Sequence, residues 1–191
     1  MQQTVLFVPG FREDLTSRNY SLVLSTIEKR GYATRFIPID WNRTVLPDWL
    51  AQLEENYATY DPAQTILAGF SFGAMAAFMA AAKRTPTQLW LFSLSSYFAE
   101  DMADTKRAWL RHIGKRRTAA FSAVHFADIA EKVTCKSLIF LGQQEAEKWP
   151  VMKKRSEGAA QLISDSQLII VPKSGHDVTD PGYLEAIASA I

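Results

Sequence analysis

The chain has 191 residues, 48% apolar and 21% charged, which excludes a disordered or fibrous protein and suits one globular domain with a sizeable core. Lysine and arginine number 21 against 20 aspartates and glutamates, so no overall field draws the molecule to nucleic acid or to an anionic membrane. The lone Cys135 excludes an internal disulfide and points to a reducing compartment.

The first apolar run, "TVLFVP" (4–9), reads as a strand. No basic region precedes it and Pro9 and Gly10 close it, so it is not a secretory signal. Asn19 to Arg30 follows as a helix, with Tyr20, Val23, Leu24 and Ile27 at helical spacing and Gly31 as its stop. "ATRFIPI" (33–39) is a second strand and Asp48 to Tyr57 a second helix. "TILAGF" (65–70) is a third strand that runs straight into an alanine-rich helix, Phe72 to Arg84. "QLWLFSLS" (88–95) is a fourth strand. Residues 97–136 then break the rhythm, since they are too many for one plain crossover helix. They read as a small helical insertion of the kind that forms a cap or substrate-binding segment. Six positive charges between Lys106 and Arg117 read as the solvated face of a helix, with a docking patch as the alternative. "SLIFLG" (137–142), a helix Pro150 to Ile163, "QLIIVP" (167–172) and a helix Pro181 to Ile191 complete the chain.

The strands are apolar almost without alternation, as expected when both faces of a parallel sheet are covered. Their alternation with helices predicts right-handed crossovers and a three-layer α/β sandwich, a mostly parallel six-stranded sheet with helices on both faces. No repeat or linker divides the chain, so residues 1–191 are expected to form a single domain. The longest apolar run, "AMAAFMAAA", is too short to span a bilayer. The expectation is a soluble, cytoplasmic protein.

At the junction of the third strand and its helix the chain reads Gly69-Phe70-Ser71-Phe72-Gly73. A strand that turns sharply into a helix forces its apex residue into a sparsely allowed conformation and presses together the residues two before and two after. Glycines at 69 and 73 permit that turn. It lifts the Ser71 hydroxyl out at the carboxyl end of the strand and leaves the Phe72 N–H at a helix N-terminus, where it can bind negative charge. This is the nucleophile elbow G-x-S-x-G.

Serine needs a base to act as a nucleophile. Of the three histidines, His112 and His125 lie within the insertion, and His176 follows the last strand in "VPKSGHDVTD". Hydrolases with this elbow place serine, acid and histidine in that chain order, which selects His176. The acid that orients it is expected in the loop after "SLIFLG". There Glu145 stands three residues past Gly142, with Glu147 and Asp101 as alternatives. A second oxyanion donor is expected from the turn "VPGFRED", where Gly10 lets the backbone come close and Phe11 N–H is the candidate.

With "FVPGF", "GFSFG", "LGQQE" and "SGHD" in this order, nearly the whole chain resembles the α/β-hydrolase superfamily, in particular its small single-domain esterase-like members. Three departures stand out. Pro9 occupies a position that is more often histidine, the expected acid is glutamate rather than aspartate, and the first run corresponds to what would be the third strand of the full fold, so the first two strands are expected to be absent. The resemblance therefore implies a minimal six-stranded sheet in flavodoxin-like order. It also implies a serine hydrolase that cleaves a carboxylic ester or thioester through an acyl-enzyme, without metal or organic cofactor. Acyl transfer by the same triad, or an inactive binding protein of the same fold, are the alternatives. Phe11, Phe72, Tyr97, Phe98 and Trp149 are expected to form an apolar acyl pocket, and Arg12 either reaches a carboxylate or phosphate of a small-molecule substrate or is an ordinary surface arginine.

Overall fold

In the computed structural model, which describes residues 2–191, each central strand sends alternate apolar side chains to two separate cores. Val5 and Phe7 of β1 (Thr4–Val8) face one layer, and Leu6 and Val8 the other. The same split holds for Ile66 and Ala68 against Leu67 in β3 (Thr65–Phe70), and for Trp90 and Phe92 against Leu89 and Leu91 in β4 (Gln88–Phe92). Full burial of a large side chain contributes about 1.5–3 kcal/mol. The continuous hydrophobicity of these strands thus reflects two covered faces.

The remaining strands are β2 (Ala33–Phe36), β5 (Lys136–Gly142) and β6 (Ser166–Val171). All pairings are parallel, and the sheet has six strands in the order β2-β1-β3-β4-β5-β6. Helices α1 (Tyr20–Glu28) and α9 (Pro181–Ala190) cover one face through Tyr20, Val23, Ile27, Tyr183 and Ile187. Helices α2 (Leu46–Ala58) and α3 (Phe72–Lys83) cover the other.

Residues 97–136 form three short helices, α4 (Arg107–Ile113), α5 (Lys115–Ser122) and α6 (Phe126–Ala130), above the face that α2 and α3 cover. Phe121 and Phe126 are their buried anchors. Arg117 ties α5 to the segment after β2, donating from Nη2 to the Trp41 carbonyl (2.7 Å) and from Nε to that of Thr44 (2.9 Å). Two helices follow β5, α7 (Gln143–Lys148) and α8 (Pro150–Leu162).

Several boundaries differ from expectation for physical reasons. β2 stops at Phe36, before Pro38, which lacks the N–H a ladder needs. β4 stops at Phe92 because Ser93 turns to φ 50°. The expected loop after β5 is the helix α7 instead. Among the described residues no helix is long and apolar enough to cross a membrane.

Candidate active site

In a parallel sheet flanked by helices, the strand ends at the carboxyl edge open into one crevice. The turns after β1, β3, β4 and β6 bring Phe11, Ser71, Ser95 and His176 to that edge, and the helix α7 after β5 brings Glu145. The turn after β3 is the sharpest. Ser71 adopts φ 56° and ψ −119°, a strained conformation for a residue with a Cβ. A side chain on Gly69 would run into the backbone of Gly73 and Ala74, and one on Gly73 into the backbone of Val8 and Pro9. The two glycines therefore close the elbow and also let the start of α3 press against the end of β1. That second contact brings Phe72, at the first turn of α3, beside Phe11. Their rings lie 5.5 Å apart.

His176 stands between Ser71 and Glu145. Its Nε2 is 3.0 Å from Ser71 Oγ and its Nδ1 2.6 Å from Glu145 Oε1. A carboxylate can only accept, so Nδ1 carries the hydrogen and Nε2 is left as the acceptor facing the serine. The imidazole is further held by the Phe70 ring, 4.7 Å away, and the Trp149 ring at 5.9 Å. Glu145 is 1% exposed. Its second oxygen accepts from Ser93 Oγ at 2.6 Å, and the Tyr183 hydroxyl, 2.6 Å from Ser93 Oγ and 3.4 Å from Glu145, closes the group. Burial, reinforced by the Glu145 charge, pushes the Tyr183 phenol far up, so it stays a hydrogen-bond donor.

Other expected residues lie elsewhere. Glu147 is exposed and accepts from Gln143 Nε2 at 3.1 Å. Asp101 is buried and paired with Arg155, whose Nε donates at 3.0 Å. His112 is exposed and stacks on Trp109, and His125 faces Glu100 at 3.7 Å.

The cleft above Ser71 has a volume of about 890 Å³, within the range of small-molecule sites. Phe11, Phe72, Tyr97 and Trp149 line it, as expected. Phe98 does not, because it is fully buried against Phe78 and Phe126. Arg12 does not either. At φ 62° its backbone turns the side chain over the Phe11 ring and into a neighbouring groove of about 590 Å³. Burial in the cleft pushes the Tyr97 phenol up to about 12.

Sequence reasoning missed Ser93, Ser95 and Tyr183. Ser95 Oγ lies 3.3 Å from Ser71 Oγ. The only signal was the serine cluster "SLSS" at the end of β4. Tyr183 reaches Ser93 across 90 positions of sequence, and no local pattern reports such a contact. Chemically, the arrangement joins a hydroxyl, a base that accepts from it and a buried carboxylate behind the base beside one largely apolar cleft.

No family model matches the sequence, and a search of curated proteins finds no significant relative. Solved structures do match. Est1E from Butyrivibrio proteoclasticus superposes with a TM-score of 0.81 at 18% identity, over 98% of this chain and 86% of that one. A dienelactone hydrolase from Anabaena variabilis gives 0.70 at 20% identity, over 98% and 82%. Alpha/beta hydrolase domain-containing protein 10 from mouse gives 0.72 at 15%, over 97% and 86%. The chain adopts the α/β-hydrolase fold, with an open, wholly parallel sheet.

Proposed function

We propose that this protein is a serine hydrolase that cleaves a carboxylic ester or thioester of a small molecule through an acyl-enzyme. The observation that carries the reading is the alignment of Ser71 Oγ, His176 and Glu145 at 3.0 and 2.6 Å. Ser71 Oγ attacks the carbonyl while His176 Nε2 takes its proton. The Phe11 and Phe72 N–H groups receive the developing oxyanion. His176 returns the proton to the leaving group, and water attacks the acyl-serine with His176 again as base. Glu145 fixes the imidazole tautomer and stabilises its cation. Fold similarity to Est1E and to a dienelactone hydrolase supports hydrolytic chemistry in general.

The test is labelling with a fluorophosphonate probe together with turnover of a nitrophenyl ester. Wild-type protein should label, and Ser71→Ala should lose both labelling and about 10⁶-fold in turnover. An unlabelled wild type would leave only the reading as an inactive binding protein.

A further inference from the structure

Three lysines, Lys106, Lys148 and Lys154, line the cleft above Ser71, where they and Arg18 outnumber the carboxylates Glu13 and Asp104 among its largely apolar walls. Lys154 lies 3.9 Å from Asp104, and Lys148 rests over the Trp149 ring. From Lys106 the positive charge continues along α4 and α5 through Arg107, Arg111, Lys115, Arg116 and Arg117. No aspartate or glutamate occurs from Thr105 to Ala127. Six of the chain's 21 cations therefore occupy positions 106–117, although the whole molecule carries only +1. Elsewhere Arg18, Lys83, Lys153, Lys154 and Arg155 do face carboxylates, as Lys83 with Glu54 at 2.7 Å and Lys153 with Glu157 at 3.8 Å. Among the described residues none of the six meets a carboxylate. Arg117 is spent on carbonyls, and its guanidinium is held below its ordinary value by partial burial and by the like charges of Arg12 and Arg116. At the lip of the cleft Trp109, 38% exposed, sits on α4 three positions after Lys106. The surface is thus graded: aromatic inside, lysine at the rim, arginine and lysine beyond.

We infer that this graded surface selects substrates whose leaving group carries phosphate, so that the preferred substrate is a thioester of a phosphate-bearing thiol. The inference rests on the hydrolase reading above and names its substrate class. A single carboxylate neutralises one or two cations, whereas a run of six cations from Lys106 through α5, none of them facing a carboxylate, matches a multiply charged group lying outside the cleft on a slender arm. The apolar walls take the acyl chain. The bond from Ser71 Oγ to the carbonyl carbon forms as the C–S bond breaks, and the thiol departs with the proton that His176 took from Ser71. Water then hydrolyses the acyl-serine and releases the acid.

The experiment compares two thioesters that differ in charge and adds an anionic oxygen ester as a control. Butyryl-coenzyme A is compared with butyryl-N-acetylcysteamine, the same thioester without phosphates, and with a nitrophenyl ester whose acyl chain ends in a carboxylate. At low ionic strength kcat/KM for the coenzyme A thioester should exceed that for the neutral thioester by about tenfold or more, and the ratio should shrink in about 0.5 M salt, where charges are screened. The double variant Arg107→Glu/Arg111→Glu should lower that ratio by a similar factor. A ratio near one at low salt, or one that ignores salt and charge reversal, overturns the inference. So does a preference for the carboxylate-tailed ester alone. Isothermal titration of free coenzyme A into the protein separates this from failure of the hydrolase reading. Salt-sensitive binding without turnover upholds the phosphate surface and sinks the hydrolase, whereas turnover of the neutral substrates without binding does the reverse.

Discussion

Glu145 keeps its carboxylate almost wholly out of water, and each of its oxygens has a designated partner: His176 on one, Ser93 and Tyr183 on the other. Glu145→Gln preserves size but allows an amide to favour the wrong histidine tautomer, so turnover should fall by up to about 10⁴-fold. Glu147→Gln, on an exposed side chain, should leave turnover near wild type on the same ester. Asp101→Asn strips the partner from a buried arginine, which typically costs about 3–5 kcal/mol. A lowered melting temperature with normal activity per folded molecule is the expected outcome. Loss of turnover in Asp101→Asn at unchanged stability would instead make Asp101 the acid. Ser93→Ala leaves one carboxylate oxygen under-bonded, so kcat should drop about tenfold with KM little changed, the scale of a lost buried hydrogen bond. Tyr183→Phe should do the same more mildly. The grouping of Ser71, His176 and Glu145 was legible because each follows a recognisable strand at its carboxyl end. Ser93 and Tyr183 were not, since their partnership exists only across the sheet. Phe98 was not legible for a related reason: proximity in sequence to a site says nothing of burial, just as it could not tell which way the left-handed turn at Arg12 aims its side chain.

At the scale of elements, the elbow depends on a contact between α3 and β1 as much as on the turn itself. Gly73→Ala would drive a methyl group into the Val8 and Pro9 backbone, and overpacking of this kind costs about 1–3 kcal/mol. Because that contact also brings Phe72 beside Phe11, kcat should fall along with melting temperature. Unchanged kinetics in a stable Gly73→Ala would dissociate the oxyanion donors from this contact. The strands and long helices were legible from apolar runs and 3.6-residue spacing. α7 was not, because "QQEAEK" offers no apolar periodicity and its ends are set by packing. In the insertion, the helical character was legible, but its division into α4, α5 and α6 depends on Gly114 at φ 94° and on where Phe121 and Phe126 find the core.

At the scale of the molecule, several proton-bearing groups sit in the two cores. Burial pushes the Cys135 thiol up to about 11 and the Tyr20 and Tyr183 phenols far up, in the case of Tyr20 with help from the Glu13 charge. These groups hold their protons more tightly folded than unfolded. They contribute stability that is complete below about pH 9 and is lost as pH rises past the unfolded values of about 9 to 10. Melting temperature should therefore be flat through neutral pH and fall steeply above about pH 10, and native Cys135 should react slowly with thiol reagents until the protein unfolds. A thiol that reacts fast at neutral pH would contradict its burial.

The edge position of β6 gives the chain a temporal order. β6 pairs only with β5, yet the turn that follows it carries His176, whose partner Ser71 lies 105 positions away. A central strand can hold its place while an edge strand frays, since local openings cost less than global ones. The histidine would then leave before the serine does. On heating or in denaturant, activity should vanish ahead of the helical signal, and on refolding it should return last, when the final strand docks and the proton acceptor arrives at a nucleophile that has been waiting for it.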